Sequence, residues 1–189
     1  GDAVSKLRAS DGALIGTYPV GDGPFDVVFD GTHIWTTNRW DDSVTKLQAS
    51  DGALIDTYAV GWGRSYAPWQ LVFDGTHIWT ANYGSYGYQA ASVSKLQASD
   101  GARVFVLNAP VPEGWVWAGI QGLVFDGTHI WTGLMEDDSV LKLRASDGAR
   151  IGTYPLGGPP TGNPTALAFD GTHIWVANNS GVVSELRAS

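Results

Sequence analysis

Residues 29–35 read FDGTHIW, and the same seven residues return at 73–79, 125–131 and 169–175. Successive copies start 44, 52 and 44 residues apart. A second phrase, L-[RQ]-A-S, begins at Leu7, Leu47, Leu96, Leu143 and Leu186, and Asp-Gly follows all but the last. One period therefore reads PFDVVFDG, THIWTTN, DSVTKLQASDG, ALIDTYAVG. Each phrase is a short run rich in Val, Ile, Thr, Trp, Tyr and Phe, bounded by Gly, Asp, Asn or Pro, which is how strands read. Asp-Gly between two such runs signals a tight hairpin, because Gly accepts the positive φ that the turn needs. No segment keeps an apolar period of 3.6 residues, so no helix is expected.

A four-stranded antiparallel unit repeated in tandem at this length predicts the blades of a β-propeller, with the whole chain 1–189 as one domain. An open β-solenoid is the competitor, but its coils are shorter and lack paired hairpins. With the strands named a, b, c and d in the order above, the chain runs c-d, three times a-b-c-d, then a-b-c. The four complete blades of a ring need one c strand fewer than the chain holds. The N-terminal d strand, Ala13 to Val20, can complete the last blade, and closing a ring this way removes open sheet edges. One c strand, Val4–Leu7 or Val182–Leu186, is then surplus. Four blades closed by strands from both termini are expected. The alternative is part of a larger ring, or two chains exchanging terminal strands in an eight-bladed ring.

The blade P-x-x-[VL]-[VA]-F-D-G-T-H-I-W-[TV]-x-N, followed by S-V-x-K-L-x-A-S-D-G-A-x-I-x-T-Y-x-[VL]-G, resembles the YVTN-type repeats of bacterial β-propellers, relatives of NHL-type propellers. The resemblance covers essentially the whole chain and implies the fold more than a function, because such propellers serve binding, structural and enzymatic roles alike. Some lyases resembling this group use a His and a metal-binding Glu. This chain offers no distinctive single-copy His for such a site.

Composition narrows the classes of function. The net charge of -8 argues against a nucleic-acid partner, which selects basic stripes. Eight of the 19 acids are the Asp of the repeated FDG and ASDG turns, so nearly half of the acidity belongs to turn chemistry. Cysteine is absent, which excludes thiolate catalysis and zinc–thiolate sites. No apolar run reaches the length of a membrane helix, and no membrane partner is expected. Gly1 in place of Met leaves room for a leader removed upstream, and a secreted or periplasmic setting is the expectation.

The four histidines, His33, His77, His129 and His173, occupy one position in every copy. They read as turn or packing residues bonded to Asp30, Asp74, Asp126 and Asp170, since an element copied into every blade belongs to the scaffold. Trp35, Trp79, Trp131 and Trp175 likewise read as packing between blades. The other five Trp fall where the repeat breaks, in the b–c and d–a connections 38–42, 82–92, 133–138, 178–181, 61–70 and 109–121. In an up-and-down blade these connections share one face of the disc. Loops on a rigid scaffold are where binding residues concentrate.

The expected ligand-binding set is Phe25, Asp26, Trp40, Asp41, Trp62, Tyr66, Trp69, Gln70, Tyr83, Tyr86, Trp115, Trp117 and Gln121. Aromatic faces beside amides and carboxylates suit a carbohydrate, whose ring stacks while its hydroxyls take directional bonds. They also suit a protein or peptide ligand. Asp41 and Asp42, opposite Glu136, Asp137 and Asp138, would be the carboxylates of a lyase or hydrolase, or of a Ca²⁺ site. No calcium loop pattern is present, and these acids also read as solvated turns. The expected function is a non-catalytic binding or scaffold propeller without cofactor or metal. A structural protein assembling as a homo-oligomer by terminal strand exchange is the alternative.

Overall fold

The computed structural model describes residues 1–60, 67–84, 91–108, 119–135, 137–157 and 162–188, except the side chains of Phe105 and Val106. Every described element is a strand. Strands β1 (Ala3–Leu7) and β2 (Leu14–Pro19) form a two-stranded sheet. The first four-stranded blade holds β3 (Pro24–Phe29), β4 (His33–Asn38), β5 (Ser43–Gln48) and β6 (Leu54–Ala59). The second holds β7 (Pro68–Phe73), β8 (His77–Asn82), β9 (Ser92–Gln97) and β10 (Arg103–Asn108). The third holds β11 (Ile120–Phe125), β12 (His129–Leu134), β13 (Ser139–Arg144) and β14 (Arg150–Pro155). A last sheet has three strands, β15 (Pro164–Phe169), β16 (His173–Asn178) and β17 (Val183–Arg187). All pairs are antiparallel neighbours in sequence, and no sheet joins the two termini. Ala13–Val20 thus carries the expected d strand, but it pairs with β1 and not with β17.

The turns form for the reasons their residues predict. In each a–b turn the Asp carboxylate accepts the backbone N–H of the next Thr and His, as Asp30 does from Thr32 and His33. Its second oxygen takes the indole N–H of the strand-b Trp, at 2.7–2.8 Å in all four copies. The His Nδ1 lies 3.2 Å from the same oxygen in the first copy and 3.7 Å in the last. Asp, His and Trp are therefore one unit that fixes the turn and orients the indole. In the c–d turns, Asp11, Asp51, Asp100 and Asp147 accept the N–H two residues on. Gly101 (φ +73°) closes one of these turns, and the Tyr58 ring of the preceding blade lies where its Cβ would stand.

The core lies between blades. Trp35 packs with Leu71, Ile78 and Leu96 of the second blade. Trp79 packs with Ile130 and Leu143 of the third, and Trp131 with Ile174, Val176 and Ala188 of the last sheet. Truncating a buried Trp to Ala costs about 3–5 kcal/mol, so each interface rests heavily on one indole. A lysine closes each interface from the c strand. Lys46 Nζ donates to the carbonyls of Ala98 (2.7 Å) and Ser99 (2.9 Å) in the next blade. Lys95 does the same to Ala145 and Ser146, Lys142 to Ala188, and Lys6 to Ala49 and Ser50. Lys46, Lys95 and Lys142 also sit 4.5–5.0 Å over the Trp of their own blade. Burial pushes the Lys95 ammonium below its ordinary pKa, against the pull of Asp74 and Asp147.

The Asn that ends strand b is a buried strut. Asn38 Nδ2 donates to Ser43 and Thr45, and Asn82 Nδ2 to Ser92 and Ser94. The third blade has Leu134 at that position, and Ser139 Oγ there is buried without a partner among the described residues.

Candidate functional site

On the face of the b–c and d–a connections, four of the expected residues gather around one that sequence reasoning passed over. Arg39 stacks its guanidinium 4.1 Å from the Trp69 ring centroid, 4.6 Å from Trp40 and 5.1 Å from Phe25. Phe25 and Trp69 lie 4.8 Å apart, and Trp69 and Tyr83 5.2 Å, so the rings run from the first blade into the second. Arg39 follows Asn38 at the end of β4, Phe25 and Trp69 open the inner strands β3 and β7, and Tyr83 follows β8. Each comes from a strand end on the scaffold, which fixes their spacing. Arg39 is legible in NRWDD only as a connection residue, because nothing local shows that β7 of the next blade brings Trp69 against it.

Among the described residues, Arg39 Nε and Trp69 Nε1 are buried with no hydrogen-bond partner. Unpaired buried donors are costly, about 1–3 kcal/mol each. The acids close by are already engaged. Asp26 accepts the N–H of Val27 and, across the blade boundary, that of Leu71. Asp41 accepts the N–H of Asp22, and Asp42 that of Ala67. Asp138 repeats the role of Asp42 by accepting from Asn163 at 2.7 Å. Asp42 (φ 51°) and Asp138 (φ 45°) are thus the left-handed corner residues that tie one blade's b–c loop to the next blade's entry. Asp41, Asp42 and Asp138, three of the carboxylates considered for catalysis or Ca²⁺, act here as loop anchors. No group of three or more His, Asp or Glu able to hold a metal occurs among the described residues.

The remaining expected residues separate. Gln70 Oε1 accepts from Gly122 N, so it staples neighbouring inner strands. Gln121 lies half-buried in β11, away from the Arg39 cluster in sequence and blade. Trp40 is 65% exposed and rests on the backbone of Gly23. Trp62, Tyr66, Tyr86, Trp115 and Trp117 lie outside the described residues, as does Glu136.

The sheets and their solved counterparts define an all-β propeller built of repeated four-stranded blades. No family model matches the chain, and no curated protein matches it. Among solved structures it is similar to the computationally designed Ika4 protein, with a TM-score of 0.68 and 14% identity over 89% of this chain and 92% of that one. It is also similar to a streptogramin B lyase, with a TM-score of 0.73 and 17% identity over all of this chain and 62% of the lyase. A catalytically inactive virginiamycin B lyase from Staphylococcus aureus with quinupristin gives 0.74 and 16%, over all of this chain and 60% of that one. The chain spans less than two thirds of either lyase. At these identities the likeness speaks for the fold alone.

Proposed function

We propose that this propeller is a non-catalytic binding module of the YVTN type whose variable loop face takes an acidic carbohydrate or an acidic peptide. The observation that carries the reading is Arg39, a guanidinium packed among Phe25, Trp40 and Trp69 with an Nε–H that no described residue accepts. A planar cation with several N–H donors matches a carboxylate, and the indole of Trp40, exposed beside it, offers a stacking surface. The nearby aspartates spend oxygens on loop amides, and the Arg39 guanidinium is the charged group beside them left to bond a ligand's carboxylate. The test is titration calorimetry with oligosaccharides that differ only in carrying uronic acids, beside an array of acidic peptides. Arg39→Met should weaken any binding about 10-fold or more, and Trp40→Ala should weaken carbohydrate more than peptide. Equal affinity for neutral and acidic ligands, or an unaffected Arg39→Met variant, would sink the proposal.

A further inference from the structure

The face opposite the Arg39 cluster carries the a–b and c–d turns, and it is cleft at the blade boundaries. Between the second and third blades lies a cleft of about 360 Å³, lined by Asp74, Thr76, His77, Phe125, Thr128 and Ala145. Between the third blade and the last sheet lies another of about 360 Å³, lined by Asp126, Thr128, His129, Phe169, Thr172 and Ala188. These are equivalent positions of the repeat, so the two clefts are one site built twice. Thr128 lines both. The boundary between the first and second blades carries the same residue types, as Asp30, Thr32, His33, Phe73, Thr76 and Ala98.

The scaffold does not use every group in these clefts. In each turn the Asp carboxylate accepts the backbone N–H of the Thr and the His, and the indole N–H of the Trp. The Thr76 and Thr128 carbonyls accept the N–H of Ala98 and Ala145. Backbone, carboxylate and indole therefore close the turn. Left over are the hydroxyls of the exposed Thr76 and Thr128, which bond no described residue. The His77 and His129 side chains, 19% and 24% exposed, are left over as well. Each Nδ1 lies 3.4 Å from the turn carboxylate, which favours the proton on that nitrogen. Nε2 is then an acceptor with no partner among the described residues. The same clefts are walled by a half-buried ring, Phe125 or Phe169, from the inner strand of the next blade.

We infer that each cleft binds one neutral sugar unit, so that this face is a row of glycan sites separate from the Arg39 surface. The carboxylates of Asp74 and Asp126 repel an anion. Their oxygens are already filled by turn donors, and no described group of acids and histidines could hold a cation. Arg144, which also lines the first cleft, is paired with Asp147 at 2.8 Å. What remains suits a neutral ligand, with hydroxyls for Nε2 and the two Thr and an apolar ring face for the Phe. A cleft of about 360 Å³ stands at the small end of ligand pockets, the size for one ring rather than a chain. Because the repeat copies the site, a ligand bearing several such ends gains avidity without any single strong contact.

The test follows the imidazole nitrogens by NMR while the full chain is titrated with methyl glycosides of glucose, galactose, mannose, fucose and N-acetylglucosamine. At least one glycoside should give saturable Nε2 shifts in both His77 and His129. Thr128→Val keeps the shape of an exposed side chain and removes one hydrogen bond from each cleft. It should weaken both sites about 5-fold while the response of His33 stays as it was. Methyl glucuronide should bind these sites more weakly than methyl glucoside, the opposite of the order expected at Arg39. Arg39→Met should change nothing here, so this inference and the ligand reading of the other face fail separately. The absence of a saturable shift with all five glycosides overturns the inference. An equal response to glycerol, which has hydroxyls but no ring, overturns it too, as does binding indifferent to Thr128→Val.

Discussion

A lysine on a strand ordinarily reads as a solvent-facing residue, and in S-V-x-K-L nothing local says otherwise. The structure turns Lys46 inward, 2% exposed, with its ammonium spent on two carbonyls of the next blade. Hydrogen bonds from a charged donor contribute about 1.5–3 kcal/mol, and their loss also strands the acceptors. Lys46→Met keeps the aliphatic stem and should lower unfolding stability by about 2–4 kcal/mol in urea titration. A loss below about 0.5 kcal/mol would show that water replaces the ammonium without penalty. Arg39 teaches the converse: a residue passed over within a variable connection becomes the centre of an aromatic cluster, because Phe25 and Trp69 reach it from inner strands distant in sequence.

Hairpin turns decide how faithfully each blade is copied, and two glycines separate backbone strain from packing. Gly127 (φ +96°) and Gly101 (φ +73°) both need the left-handed region, but only Gly101 has a ring, that of Tyr58, where a Cβ would stand. Gly127→Ala should cost about 1–2 kcal/mol of backbone strain, and Gly101→Ala more, because Tyr58 must also move off Trp35. Equal losses by chemical denaturation would mean that the Tyr58 stack contributes nothing. At this scale the sequence is highly legible. The strands fall within a residue or two of the phrases, the Asp-Gly turns form, and the His and Trp of FDGTHIW join the turn Asp in one hydrogen-bonded unit. Much of the variable face was not legible, since residues of the b–c and d–a connections meet across blade boundaries. Asp26 and Gln70 show why: each had the chemistry of a ligand contact, and each reaches the next inner strand instead. Their role depends on how blades abut, which periodicity does not encode.

For the molecule as a whole, acid sets two effects against each other. The chain carries a net charge of -8 at pH 7, so lowering the pH toward the pI of about 4.7 relieves self-repulsion. The turn aspartates oppose further acidification. Burial works against the ionised Asp30 and Asp126, but the indole N–H of Trp35 or Trp131 and the backbone N–H groups outweigh it, holding both carboxyls below the ordinary 3.8. Asp170 is held down to about 2, chiefly by the Trp175 indole. A carboxylate depressed in the folded state contributes stability that is present above its unfolded pKa. That stability is lost as pH falls through the folded value. For Asp170 the window runs from 3.8 down to about 2. The urea midpoint at constant ionic strength should therefore hold or rise slightly from pH 7 to about 4.7, then fall steadily below 3.8. Asp126→Asn removes one of the titrating groups together with one of the two oxygens that accept from Trp131 and from the Thr128 and His129 amides, so its midpoint should start lower but fall less steeply below 3.8. A wild-type midpoint unchanged between pH 4.5 and 2.5 would mean that the indole–carboxylate units do not distinguish folded from unfolded chain. An Asp126→Asn profile parallel to the wild type would assign the acid loss to other groups.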